Sequence, residues 1–250
     1  MGALESSTRR SSIETDHWAI VRVVPTILLA RHGQASFGQA DYDVLSQEGH
    51  LQAAALADDL DRRGVRVDQI VSGSLKRQLD TAAPVAARSG VSVTVDARWN
   101  EYDANDVLAH HSQSLVRDSR PPGSDAPAAS SAEFQEALEA ALLLWIAAGP
   151  ESSTQESWFA FSARARAALN DVGAGLDSGQ TAIVFTSGGV LAAICVELLG
   201  VAPAGLLVFN RVSINASITK VVSGKRGSTL IAFNDHSHLD FQGGSLVTYR

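Results

Sequence analysis

The chain has 250 residues, 45% of them hydrophobic, with a formal net charge of -7 and one cysteine. That size and apolar content suit one α/β core, and the acidic balance, with no basic run among aromatics, excludes general nucleic-acid binding. The lone Cys195 excludes an internal disulfide and fits a cytoplasmic protein, and no segment approaches the roughly 20 apolar residues that span a bilayer, so no membrane partner is expected.

In chain order, residues 1–24 are polar and serine-rich and are expected to form a loosely attached arm; residues 25–250 are expected to form a single domain. The apolar run Pro25 to Ala30 predicts a strand, broken by Arg31-His32-Gly33. A neutral imidazole is a nucleophile near physiological pH, and a guanidinium is a permanent cation whose forked donors match phosphate oxygens, so the pair at a strand end points to phosphoryl transfer onto nitrogen. Asp68 to Ser72 predicts a second strand, followed by a helix whose apolar positions Leu75, Leu79, Ala82 and Ala83 follow helical spacing and whose first turn carries Arg77. Val91 to Val95 alternates as a strand and leads into Arg98-Trp99-Asn100-Glu101-Tyr102-Asp103.

Between Asp103 and Ala132 the composition turns to Ser, Pro, Ala and Gly, which predicts a loop, an insertion at about 104–132 that passes beside the cleft and is open to protease between about Ser112 and Ser131. Helices are predicted around Phe134 to Ile146 and from about Ser157 to Leu176, the latter with Phe161, Ala165 and Leu169 on one face. Thr181 to Phe185 predicts another strand, giving way to Thr186-Ser187-Gly188-Gly189 and a helix over Val190 to Leu199. Ser213 to Val222 and Thr229 to Phe233 predict a hairpin around Ser223 to Gly227. Strand and helix alternation makes the first four strands parallel neighbours, so their polar ends converge on one sheet edge and gather Arg31, His32, Arg77, Glu101 and Ser187 in a cleft.

These segments, over roughly residues 25 to 240, resemble the histidine phosphatase superfamily, also called the phosphoglycerate mutase-like family. The resemblance rests on Arg31-His32-Gly33, on Leu45-Ser46-Gln47-Glu48-Gly49 with Gln52-Ala53, on Ser72 to Ala82, and on Glu101. It implies a three-layer α/β/α sandwich with a mostly parallel sheet and an antiparallel edge hairpin. It further implies that His32 accepts the phosphoryl group, that Arg31 and Arg77 bind phosphate, and that Glu101 protonates the leaving group; Asp103, two residues on, is the rival acid. The implied activity is a metal-independent phosphatase acting on a small phosphorylated substrate with no cofactor. One position departs from the pattern. Similar proteins place a second histidine where this chain has Ser187, before Gly188-Gly189. A hydroxyl there is a neutral donor in place of a cationic one, a loss of about 1.5–3 kcal/mol in the transition state. Ser187 and Gly188 are still expected to bind phosphate, since a helix start attracts anions, although Ser187 also suits an ordinary helix cap. His236 and His238 are the histidines that could supply the missing charge, with surface loop positions as the alternative; His17, His50, His110 and His111 fit solvated positions, and no cluster has metal-ligand spacing. Two other readings stand beside the phosphatase. One is a non-catalytic or regulatory phosphate-binding protein, motivated by Ser187; the other is a mutase, opposed by Gly38, where related mutases carry an asparagine.

Overall fold

In a computed structural model, the structure describes residues 24–36, 43–111, 131–240 and 246–249. The N-terminal arm, Gly38 and the Pro-rich part of the insertion lie outside these residues. Six strands form one sheet: β1 (Thr26–Arg31), β2 (Gln69–Ser72), β3 (Val93–Val95), β4 (Thr181–Thr186), β5 (Ile218–Gly224) and β6 (Gly227–Asp235), in the order β3-β2-β4-β1-β5-β6. The pairs β1–β4, β2–β4 and β2–β3 are parallel, while β5 runs antiparallel to β1 and β6 antiparallel to β5. The parallel strands and the antiparallel edge hairpin are those that the alternation of apolar runs anticipates.

Strand β1 is apolar from Ile27 to Ala30 because helices cover both faces of the sheet. Leu28 and Ala30 point to one side, into a core with Ile70, Ile183 and Phe185 and with Leu56 and Leu60 of α1 (Gln47–Arg62) and Ala82 and Val85 of α2 (Lys76–Ser89). Ile27 and Leu29 point to the other, into a larger core with Val184 of β4. That core is completed from α3 (Ala104–His111), α4 (Ser131–Ala147), α5 (Trp158–Ala174), α6 (Gly188–Leu199) and α7 (Gly205–Val212). Phe161, Ala165 and Leu169 of α5 are all buried there, as their spacing indicates.

Three expectations require correction. The stretch after Asp103 is not a loop from its start: residues 104–111 form α3, with Asp103 Oδ1 accepting the main-chain N–H groups of Asn105 and Asp106 and Val107 buried in the core. An Asp cap and a single apolar anchor suffice to start a helix that the later Ser/Pro composition obscures. Second, β5 begins at Ile218 and not at Ser213. Ala216 has a φ of 57°, in the left-handed region that breaks a strand, and residues 213–217 instead bind the β1 end: Arg31 N–H donates to Ser217 O and Ala216 N–H to His32 O. Third, Ser187 precedes α6 but its side chain does not cap it.

The loop after β1 crosses the start of α1 at backbone contact. A Cβ on Gly49 would lie 2.2 Å from Gln34 O, and one on Gly33 2.5 Å from Gly49 O, both main-chain atoms that have no freedom to rotate away. Gly49→Ala is therefore expected to cost about 1–3 kcal/mol through overpacking, visible as a lower Tm, and to displace the His32 loop.

Candidate active site

The strand ends bring the predicted residues to one edge of the sheet, most of them buried. His32 follows β1, its N–H bonded to Thr186 O at the end of the neighbouring β4, so the two loops share one ladder. The His32 Nδ1 lies 2.7 Å from Gly33 O. A carbonyl can only accept, so Nδ1 carries the proton and Nε2 presents its lone pair. Arg77 Nε, in the first turn of α2, lies 3.2 Å from that Nε2. The Arg77 guanidinium is also held by Asp43, whose Oδ1 is 2.7 Å from Nη1, while Oδ2 of the same carboxylate accepts the Lys76 N–H at 2.8 Å and so caps α2 from outside the helix. Nothing in the sequence marks Asp43, which lies in a different segment from the helix that it caps.

Arg31 is 2% exposed, and its Nη1 donates to Ser213 O at 2.5 Å. Its guanidinium flanks the first turn of α6: a Cβ on Gly188 would lie 3.5 Å from Arg31 Nε and 2.6 Å from Asn210 Oδ1. Glycine at this position admits both side chains. On the next residue, Gly189 N–H donates to Glu101 Oε2 at 2.9 Å. Glu101 thus takes the capping role that the sequence suggests for Ser187, and it stands beside the helix end that attracts anions. Glu101 Oε1 accepts in turn from Tyr102 N–H at 3.2 Å, and Asp103, the rival acid, spends one carboxylate oxygen on the α3 cap. Glu101 also lines a cavity of about 190 Å³ with Tyr102, Asp103, Asp106, Trp145 and Glu156.

Ser187 is fully buried, and its Oγ accepts from Gln78 Nε2 at 2.9 Å; the same Nε2 donates to Trp99 O at 3.0 Å. An amide nitrogen only donates, so the Ser187 hydroxyl proton is left to be given elsewhere. Gln78, next to Arg77 on α2, is also fully buried, although a polar residue on a helix suggests an exposed face in the sequence.

The two histidines considered as replacements are engaged elsewhere. His236 Nδ1 is 2.7 Å from Asn234 O and His238 Nε2 3.0 Å from Ala216 O. Burial pushes the His238 imidazole below its usual value against the opposing pull of Asp59 and Asp235, so it is disposed to stay neutral in a pocket whose nearby charges are Asp59, Asp235 and Arg63. His50 and His110 are exposed, and His111 bonds Ser152 Oγ through Nε2 at 3.1 Å. Burial pushes the Cys195 thiol up to about 12, far from a reactive thiolate.

The profile of the histidine phosphatase superfamily (branch 1) matches residues 27–236. The chain belongs to that superfamily. A glucosyl-3-phosphoglycerate phosphatase of Mycolicibacterium vanbaalenii is 39% identical over 90 residues, 33% of this chain and only 39% of that protein's length. A putative phosphoserine phosphatase 2 of Hydrogenobacter thermophilus is 27% identical over 221 residues, 85% of this chain and 96% of that protein. Among solved structures, a mycobacterial glucosyl-3-phosphoglycerate phosphatase in complex with inorganic phosphate superposes with a TM-score of 0.59 at 25% identity, covering 85% of this chain and 98% of that one. Among the described residues, no helix is long and apolar enough to cross a membrane.

Proposed function

We propose that this histidine phosphatase superfamily member is a metal-independent phosphatase that hydrolyses a small phosphomonoester through a phosphohistidine on His32. The observation that carries the reading is the His32 ring itself, whose Nδ1–H donates to Gly33 O and whose Nε2 accepts from Arg77 Nε. Relatives named for phosphatase activities on phosphoserine and glucosyl-3-phosphoglycerate support the same reaction class.

In this reading, Nε2 attacks phosphorus as the bond from phosphorus to the ester oxygen breaks, with Arg31 and Arg77 spreading the charge of the equatorial oxygens. Glu101 gives its proton to the departing alkoxide, which leaves toward the cavity that Glu101 lines. Water then attacks the phosphohistidine, Glu101 takes the water proton, and the bond to Nε2 breaks to release phosphate. Ser187 and the first turn of α6 at Gly188 supply neutral donors to the phosphoryl oxygens. The guanidiniums perform the electrostatic work, so turnover is expected to be unchanged by a chelator.

The test is a panel of phosphorylated metabolites, including phosphoserine and glucosyl-3-phosphoglycerate, assayed for phosphate release with and without chelator. Glu101→Gln is expected to lower kcat roughly 100-fold on alkyl phosphates, whose leaving groups need a proton, and much less on p-nitrophenyl phosphate, whose leaving group does not. Equal losses on both substrates would remove Glu101 as the acid. Release from no member of the panel would favour the second reading, a phosphate-binding protein, for which the neutral Ser187 is the specific observation. Phosphoryl transfer between phosphoglycerates is assayed separately as the sign of a mutase.

A further inference from the structure

The contacts that hold His32 lead, through a chain of hydrogen bonds, to Thr248, beyond the residues 27–236 that match the superfamily. The orientation of the His32 ring depends on two adjoining peptide groups. One contains Gly33 O, which accepts the Nδ1 proton, and Gln34 N–H, which donates to Gln52 Oε1 at 2.7 Å. The other contains His32 O, which accepts from Ala216 N–H and from Asn215 Nδ2, each at 3.2 Å, and Gly33 N–H, which donates to Thr81 Oγ1 at 3.0 Å. Both amide side chains that grip these peptides, Gln52 and Asn215, meet at one hydroxyl.

With its oxygen on Gln34 N–H and its nitrogen on Leu246 O, the Gln52 amide is oriented by two main-chain groups, and the same nitrogen donates to Thr248 Oγ1; both nitrogen contacts are 2.7 Å. A hydroxyl that accepts from an amide nitrogen has its single proton left to donate, and Thr248 Oγ1 gives it to Asn215 Oδ1 at 3.1 Å. The Asn215 nitrogen, on the other side of that amide, donates to His32 O, and the main chain closes the link with Asn215 N–H on Thr248 O at 3.1 Å. Each donor and acceptor along this path has one assignment. Gln52 and Asn215 are buried, so a flipped amide would leave polar atoms without partners away from water.

We propose that Thr248 is a positioning residue for the nucleophile: its hydroxyl ties together the two amides that main-chain groups orient, and so holds the Gly33 carbonyl where it keeps the proton of His32 on Nδ1. The inference rests on His32 being the nucleophile, but its test does not depend on turnover. Thr248→Val preserves the side-chain shape and removes the hydroxyl; Thr248→Ser restores the hydroxyl without the methyl group. Thr248→Ala replaces valine if that variant does not fold, because Thr248 is only half-buried. Nitrogen-15 NMR of the histidine rings in the phosphate-free full chain reads the tautomer, and p-nitrophenyl phosphate reads kcat and KM.

The wild type and Thr248→Ser are expected to show His32 as a single Nδ1–H tautomer. Thr248→Val is expected to show exchange between tautomers and a roughly tenfold fall in kcat, with KM within about twofold, because a misplaced nucleophile slows the chemical step while the arginines still bind phosphate. A Val or Ala variant that keeps the single tautomer overturns the proposal, as does a serine variant that loses it to the same extent. If the wild type hydrolyses no phosphomonoester, the phosphatase reading fails and the ring spectrum alone decides the role of Thr248.

Discussion

Brief exposure of the protein to a reactive phosphomonoester, stopped with alkali, is expected to leave a phosphoryl group on Nε2 of His32 that is stable to base and lost in acid. Phosphoramidates on imidazole have that lability, whereas a phosphoserine ester survives acid, so the two stabilities separate His32 from Ser187 chemically before any peptide is sequenced. The geometry favours nitrogen. The His32 Nε2 lone pair accepts from Arg77 Nε, a phosphate-binding cation that an incoming phosphoryl group can draw away, while Ser187 is fully buried and has no base among its hydrogen-bond partners to remove its proton. His32→Ala is expected to abolish the label and to lower turnover by roughly 10,000-fold, the scale on which loss of a nucleophile is felt. A label on Ser187, or turnover with no label on any residue, would remove the phosphohistidine mechanism.

The parts of this site that can be read in the sequence are those built by repetition. Each parallel strand is an apolar run that ends in polar residues, and because parallel strands share one direction, their order alone places Arg31, His32, Arg77, Glu101 and Ser187 on one edge. The groups that orient these residues lack such a signal, since each acts across a long sequence separation. Asp43 holds Arg77 from another segment, and Gln52, Asn215 and Thr248 meet around the His32 loop from three separate parts of the chain. A hydrogen bond of this kind leaves no periodicity, and its residues are ordinary polar types. Secondary structure was hidden for a related reason in two places. The helix at 104–111 rests on one cap and little buried surface, and residues 213–217 have strand-like composition but turn their main chain to Arg31 and His32. The acceptor at the start of α6 is not legible either, because serine at a helix start is a strong local cue and the competing acceptor, Glu101, comes from a distant segment.

Ser187→His tests the proposal that Ser187 stands where the superfamily has a second histidine, and the packing around Ser187 decides how the test has to be made. An imidazole on that residue would run into Gln78, whose Nε2 is 2.9 Å from Ser187 Oγ in a fully buried position. The single substitution is therefore expected to overpack the site, cost about 1–3 kcal/mol of stability and bring no gain in rate. Pairing it with Gln78→Ala removes as many heavy atoms as the histidine adds, making the double change conserve volume. The new ring can donate one N–H to Trp99 O, the acceptor that Gln78 now satisfies, and direct the other toward the phosphoryl group. A protonated imidazole contributes a charge-assisted bond in place of a neutral one, so the double variant is expected to exceed the wild-type kcat by roughly ten- to a hundredfold. Gln78→Ala alone serves as the reference and is expected to fall below the wild type, since the Ser187 hydroxyl loses the donor that directs its proton outward. Should the double variant fold with a Tm near that of the wild type and still turn over no faster than Gln78→Ala, a cation at this position has no role in the reaction, and Ser187 is not a weak substitute for one.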